Sequence, residues 1–498
     1  MNRTLLPWLA LLVASVSAFA TTYEIESANG LRNLNACTAS DTIKLTRSIN
    51  MEGPSFVPLC PDGFYGVFDG GDSAILKLNI VASMKTYPNM AFIAILGDGG
   101  VLKNVTFQDA NIVAYQEGNG GVKGASVAVA VGKLEGGSVE NVHVKGGNVS
   151  ISLGSNSTGD AGGLAGTADS GSISGSDGNV SVGGSNGANV GGICGSVTGD
   201  VTLTSVSYTG TSDVDIAGSG MEAVTIVNKY GALTVTEKNS VRTVDIDGNY
   251  MGTDAVEIPT DIEVNSVTLN RTFTKNVLSS LFLPFSIRAS QISGATKIYK
   301  FNRVAKNDEG IWKVKVSSVT ELTANTPYMV LPSADGKLTF NIDNPVAFNT
   351  TTGPETHSVI NDTWEFKGVY AHVDFDADFP DVSRVYGFAA QAADGYNAGD
   401  FVKVGVGADI PAMRAYLVHH SAPLQKSRAG VLGQSVIPDV IEIEVEDETG
   451  LIVGTGKLNT VTGEVRMDRW FDLKGRKLNS EPIVKGTYYK NGKKAIIK

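Results

Sequence analysis

Short runs of alternating apolar and polar residues, cut by glycine, dominate the first half of the chain. Thr22-Tyr-Glu-Ile and Thr42-Ile-Lys-Leu alternate as strands, as do Val101–Phe107, Val139–Val144, Asn179–Val182 and Val201–Tyr208. Phe68-Asp69-Gly70-Gly71 is a turn signal followed by an apolar run through Ile80. The strands fall in a slipping repeat: Gly97, Gly132, Gly166 and Gly195 stand 35, 34 and 29 residues apart, with Gly163 and Gly192 doubling the punctuation in the last two repeats. Units of that size must stack on their neighbours to bury an apolar face. The pattern predicts an all-β solenoid over residues 21–255. Its glycines sit at turns, and Val101, Val139, Ile173 and Val201 line one interior column. Asn104 and Asn141 precede the same strand position in two repeats, where each can bond within a turn or to its neighbour one strand away. The alternative is an antiparallel sandwich with glycine-rich hairpins. The shared phase of four repeats favours parallel stacking.

From about residue 256 the pattern changes. Val267-Thr-Leu, Leu281-Phe-Leu, Ile298-Tyr-Lys-Phe, Ile311-Trp-Lys-Val-Lys-Val, Tyr328-Met-Val-Leu, Trp364-Glu-Phe and Met413-Arg-Ala-Tyr-Leu-Val read as strands at short intervals, and aromatics become frequent. This predicts a β-sandwich-like domain over 256–436. Residues 437–456 alternate Ile and Val with glutamate and are expected as an acidic linker or an edge strand. Residues 457–498 carry eleven Lys and Arg against four Asp and Glu, and Asn491-Gly492 between two strand-like runs signals a hairpin. A small C-terminal β module is expected there.

Composition adds a location. Residues 1–20 have the form of a secretory signal peptide: Arg3, an apolar run from Leu5 to Ala14, and small residues at Ala18 and Ala20. Secretion or display at the outer membrane is therefore expected. The net charge of -11 argues against nucleic acid as a partner. After export three cysteines remain. Cys37 and Cys60 flank one predicted strand pair and are candidates for a disulfide in an oxidising compartment. Cys194 stands where other repeats carry Val131 or Ala165, as a small buried filler.

No catalytic constellation emerges. There is no Gly-x-Ser-x-Gly elbow, phosphate loop or zinc spacing. Carboxylates of the repeats are scattered, and Asp160, Asp169 and Asp177 are expected to cap Gly/Ser-rich turns. A hydrolase or lyase would need two or three of them to converge on a groove. The densest polar cluster holds Asp374, Asp376 and Asp378, which invites either a calcium ion or a solvent-facing loop. Asp245, Asp247 and Asn249 resemble the start of a calcium loop, but Val256 occupies the position of its bidentate glutamate. No cofactor is otherwise implied. Binding of an extracellular polysaccharide or of a host or neighbouring cell surface would use the Ser/Thr/Asn faces of the repeats, with Tyr115 and Tyr208 as aromatic platforms.

Gly162-Gly-Leu-Ala-Gly166 and Gly191-Gly-Ile-Cys-Gly195 resemble GLUG repeats, and Gly66-Val-Phe-Asp-Gly70-Gly resembles the lead-in that precedes them in secreted bacterial surface proteins. That resemblance implies a right-handed parallel β-helix and an adhesin-like role. Arg271-Thr-Phe, Leu281-Phe-Leu-Pro-Phe285 and Pro411-Ala-Met-Arg-Ala-Tyr416 resemble an uncharacterised all-β module of exported proteins of Fibrobacter and Bacteroidetes. Phe471-Asp-Leu-Lys-Gly475-Arg, Gly486-Thr-Tyr488 and Asn491-Gly492-Lys-Lys resemble the terminal sorting modules of the same groups, which implies outer-membrane export machinery as a partner. A structural spacer of the cell surface, or a polysaccharide lyase or hydrolase, are the alternative roles.

Overall fold

The structure is a computed structural model. It describes residues 21–498 except 40, 307–309, 349–357, 381, 394–395, 421–437, 447–451, 455, 460–463, 468–469, 474–476, 479–481, 491–492 and 498. The expected signal peptide therefore lies outside the described residues. The fold is all-β. The chain divides into two compact units, Met1–Val227 and Asn228–Lys498.

In the first unit successive repeats pair in parallel. One in-register column runs Tyr23, Ile43, Phe68, Leu102, Val139, Ile173, Leu203 and Ile226. Leu102, Val139 and Ile173 have no exposed surface. The expected column through Val101 and Val201 is thus displaced. Val101 stands one residue off and pairs with Ser138, while Val201 stands two residues off and pairs with Gly171. A one-residue slip turns a side chain to the other face of a strand, which is why Val101 is half-exposed while Leu102 is buried. A second column aligns Ile80, Ile112, Val149 and Val182. A third aligns Leu59, Ile93, Val131, Ala165, Cys194 and Ala217. Near the N-terminal end of this core the filler is aromatic, with Phe92 stacked on Phe56 and edge-on to Phe68 and Phe107.

Corners between ladders recur at fixed positions. Asn104, Asn141, Gly175 and Ser205 directly follow the aligned residues Lys103, Glu140, Ser174 and Thr204, and all four have φ between 51° and 55°. Left-handed backbone is costly for most L-residues, and asparagine and glycine bear it best.

Of the glycines expected at turns, four have another role. Gly97, Gly132, Gly166 and Gly195 all lie within strands, and Gly163 and Gly192 lie in the bends just before two of those strands. A Cβ at Gly166 would sit 2.4 Å from the backbone nitrogen of Val127, and one at Gly195 would sit 2.4 Å from that of Ala161. They permit backbones to approach, and none of the six has a left-handed φ.

The second unit is mostly antiparallel. Its largest sheet includes Ser279–Leu283, Thr326–Pro332, Ala295–Lys306, Trp312–Ser318, Val440–Glu446, Phe401–Lys403, Val385–Phe388, Arg414–His419 and Trp364–Val369. Strand Val440–Glu446, expected as linker or edge, is interior. It pairs in parallel with Trp312–Ser318 on one side and antiparallel with Phe401–Lys403 on the other. Its charge is matched there: Glu444 forms a buried ion pair with Lys315, and Glu446 meets Arg303 at 2.6 Å. Strands Gly486–Lys490 and Lys493–Ile497 pair as a hairpin with Lys490 opposite Lys493, although Asn491 and Gly492 themselves lie outside the described residues.

Candidate binding face of the parallel ladders

On either side of the Leu102–Val139–Ile173–Leu203 column the side chains are half-exposed, and all but Val101 beside Leu102 are polar. One row aligns Ser138, Ser172, Thr202 and Thr225. The other aligns Asp69, Lys103, Glu140, Ser174 and Thr204. Parallel register places each member about 4.8 Å from the next. The result is a regular strip of hydroxyls and charges whose spacing is set by backbone hydrogen bonds.

At the corner beside this strip an amide chain crosses the repeats. Asn104 Nδ2 donates to Asp69 Oδ1 at 3.1 Å, and Asn141 Nδ2 donates to Asn104 Oδ1 at 3.2 Å. His143 Nε2 meets Asn141 Oδ1 at 2.9 Å, and its Nδ1 contacts Asp177. Burial raises the Asp69 carboxyl, but hydrogen bonds from the Gly71 amide and Asn104, with Lys103 and Lys44 nearby, outweigh it and hold that group below its ordinary range.

A second polar group spans the neighbouring ladder. Lys133 Nζ lies 2.6 Å from Glu135 and 2.7 Å from Asp169. Asp169 also takes a hydrogen bond from Thr198. Burial raises the Asp169 carboxyl, and the bonds from Lys133 and Thr198 outweigh that effect and lower it. A glycosidase acid needs a carboxyl raised toward neutrality. Asp169 is shifted the other way and presents an acceptor and charge instead.

The other predicted residues are placed as follows. Asp160, Asp169 and Asp177 do not cap turns; they lie in separate strands, each with its own partner. Asp160 is bonded to Asn189 at 2.7 Å and to Thr167 at 2.8 Å. Asp374 is exposed, opposite Asp409 in a short antiparallel pair and 3.4 Å from His372. Asp376 accepts from the backbone of Asp378 at 3.0 Å, a solvent-facing turn. Among the described residues no group of three or more metal-ligating side chains gathers. Asp247 likewise accepts from the Asn249 amide within a turn. Tyr115 is exposed at the end of its strand, whereas Tyr208 is half-buried and donates to the Val180 carbonyl at 2.7 Å. Cys37 and Cys60 form a disulfide with Cα atoms 5.7 Å apart, and Cys194 is a buried free thiol.

No significant match to this chain is found among protein-family models, curated proteins or solved structures. The GLUG resemblance accordingly rests on the sequence motifs alone, Gly162–Gly166 and Gly191–Gly195 with the Gly66–Gly71 lead-in. Among the described residues no helix is long and apolar enough to cross a membrane.

Sequence reasoning overlooked Tyr65. Its ring is exposed and lies against Gly63 and Gly97. The signal was present as an aromatic between glycines, in Gly63-Phe-Tyr65-Gly66, rather than inside the alternating runs.

Proposed function

We propose that this is an exported surface protein that binds a polysaccharide of a matrix, host or neighbouring cell through the polar rows of residues 21–227. The observation that carries this reading is the register of Ser138, Ser172, Thr202 and Thr225 beside Asp69, Lys103, Glu140, Ser174 and Thr204. A repeating polymer is matched by a surface with a repeating set of donors and acceptors. We read these ladders as turns of a right-handed parallel β-helix. Parallel pairing throughout the quoted columns supports it, as does the strong right-handed preference of parallel crossovers. Export is supported by the leader pattern of residues 1–20 and by the Cys37–Cys60 disulfide, which belongs in an oxidising compartment. The basic hairpin of residues 457–498 is assigned to the export machinery.

The test is retention of the full mature chain on insoluble polysaccharides. The parent is compared with a triple variant, Ser172→Ala, Thr202→Val and Thr204→Val, which keeps shape and removes hydroxyls. Retention of the parent and loss in the variant supports the reading. Equal retention of both removes the rows from it. Failure of the parent to bind any polysaccharide leaves a spacer role in its place. Deletion of residues 457–498 should trap the chain inside the cell.

A further inference from the structure

Resting on that binding reading, we propose that Tyr65 and the Lys133–Glu135–Asp169 group form a subsite for one neutral pyranose ring. Tyr65 is 41% exposed. Its ring atoms lie 2.3–3.1 Å from where a Cβ would stand at Gly97, and its hydroxyl and nearest ring atoms lie 2.6–2.9 Å from where one would stand at Gly63. One edge of the ring, Cδ1 and Cε1, thus lies against Gly97 and the other, Cε2 with the hydroxyl, against Gly63, two residues that have no side chain to cover it. The weakly positive axial C–H bonds of a pyranose pack on the negative face of such a ring.

The platform is held in place. The Tyr65 amide donates to the carbonyl of Cys37 at 3.3 Å, and Gly63 donates to the carbonyl of Cys60 at 3.0 Å, so both ends of the disulfide touch this segment. Phe64 bonds Ile95 at 2.8 Å, and Gly97 returns a bond to Phe64 at 2.9 Å. Fixing the ring before binding lowers the entropy lost on association.

Polar partners stand one strand away. Glu135 is the ladder neighbour of Gly97, and Lys133 joins it to Asp169. Two carboxylates against one ammonium leave this group net negative. It offers acceptors to sugar hydroxyls and repels uronates and sulfated sugars. The occupant is therefore a neutral sugar with a flat apolar face, as in a β-linked glucan, xylan or mannan backbone.

The test is affinity electrophoresis of the full mature chain in native gels containing hydroxyethylcellulose, arabinoxylan, galactomannan or polygalacturonate. The parent should be retarded by at least one neutral polymer. Tyr65→Ala should weaken that interaction about tenfold while Tyr65→Phe retains it. Gly97→Ala, which displaces the ring, should match Tyr65→Ala. Unchanged far-UV circular dichroism of Tyr65→Ala establishes that it folds. Equal retardation of parent and Tyr65→Ala overturns the subsite and leaves the broader binding reading standing. Retardation by polygalacturonate alone also overturns it. No retardation of the parent by any polymer overturns both.

Discussion

Replacing Gly166 by alanine tests whether the repeat glycines are there for backbone proximity. An added Cβ would lie 2.4 Å from the nitrogen of Val127, 2.7 Å from the carbonyl carbon of Ser126 and 2.8 Å from the oxygen of Gly132. All three are backbone atoms held in parallel ladders, so no side-chain rotation relieves the clash. Overpacking of this kind costs about 1–3 kcal/mol. Alanine returns at most about 1 kcal/mol by restricting the unfolded chain. Gly183 is the matched control: it lies in a neighbouring strand of the same unit, has no atom within 4 Å of its would-be Cβ and has no left-handed φ. There alanine should stabilise by about 0.4–1 kcal/mol. For a unit of this size 1 kcal/mol moves the melting temperature by roughly 2–4 °C. Gly166→Ala should therefore melt several degrees below the parent, and Gly183→Ala slightly above it. Far-UV circular dichroism follows the transition. Tryptophan emission is a built-in reference, because Trp312, Trp364 and Trp470 all lie after residue 227 and none lies between 21 and 227. If Gly166→Ala melts at or above Gly183→Ala, the close-approach argument is wrong.

Reducing the Cys37–Cys60 bond, whose sequence separation is 23, should lower the stability of the first unit by about 3 kcal/mol, read as a shift in the urea midpoint with and without dithiothreitol. Glu444→Gln removes the carboxylate from the buried Lys315–Glu444 pair and should destabilise the second unit, while the double change Lys315→Met with Glu444→Leu should recover most of that loss in tryptophan-monitored unfolding. Burial pushes the Cys194 thiol up to about 12, so at neutral pH it stays protonated. Iodoacetamide should leave it unmodified until denaturant is added, and rapid labelling of the native chain would contradict its placement.

Much of the first unit was legible because its period is carried by residues that have few substitutes. Asn104 and Asn141 were found from position alone; of the two roles expected the structure shows the ladder between neighbouring strands, and it adds a left-handed corner that was not expected. Register was the weak point. Val101 and Leu102 are both apolar, and only the partner strand decides which one turns inward. Gly97, Gly132, Gly166 and Gly195 were located but misassigned, since a missing side chain reads the same whether it serves a tight turn or a close neighbour. Strand Val440–Glu446 was misread because alternating glutamate signals solvent. Its compensating charges, Lys315 and Arg303, lie more than a hundred residues earlier. Tyr65 was missed for a related reason: Gly97, which makes room for its ring, is distant in sequence.

The amide chain at the corner has a built-in direction. An ionised Asp69 has no hydrogen to give, so the amide nitrogen of Asn104 must face it and the amide oxygen must face away. That oxygen then accepts from the nitrogen of Asn141, whose own oxygen is turned toward His143. The imidazole meets an acceptor at each ring nitrogen, the Asn141 oxygen at Nε2 and the Asp177 carboxylate at Nδ1. One carboxylate thus sets the orientation of two amides in succession, and removing it would free both to flip.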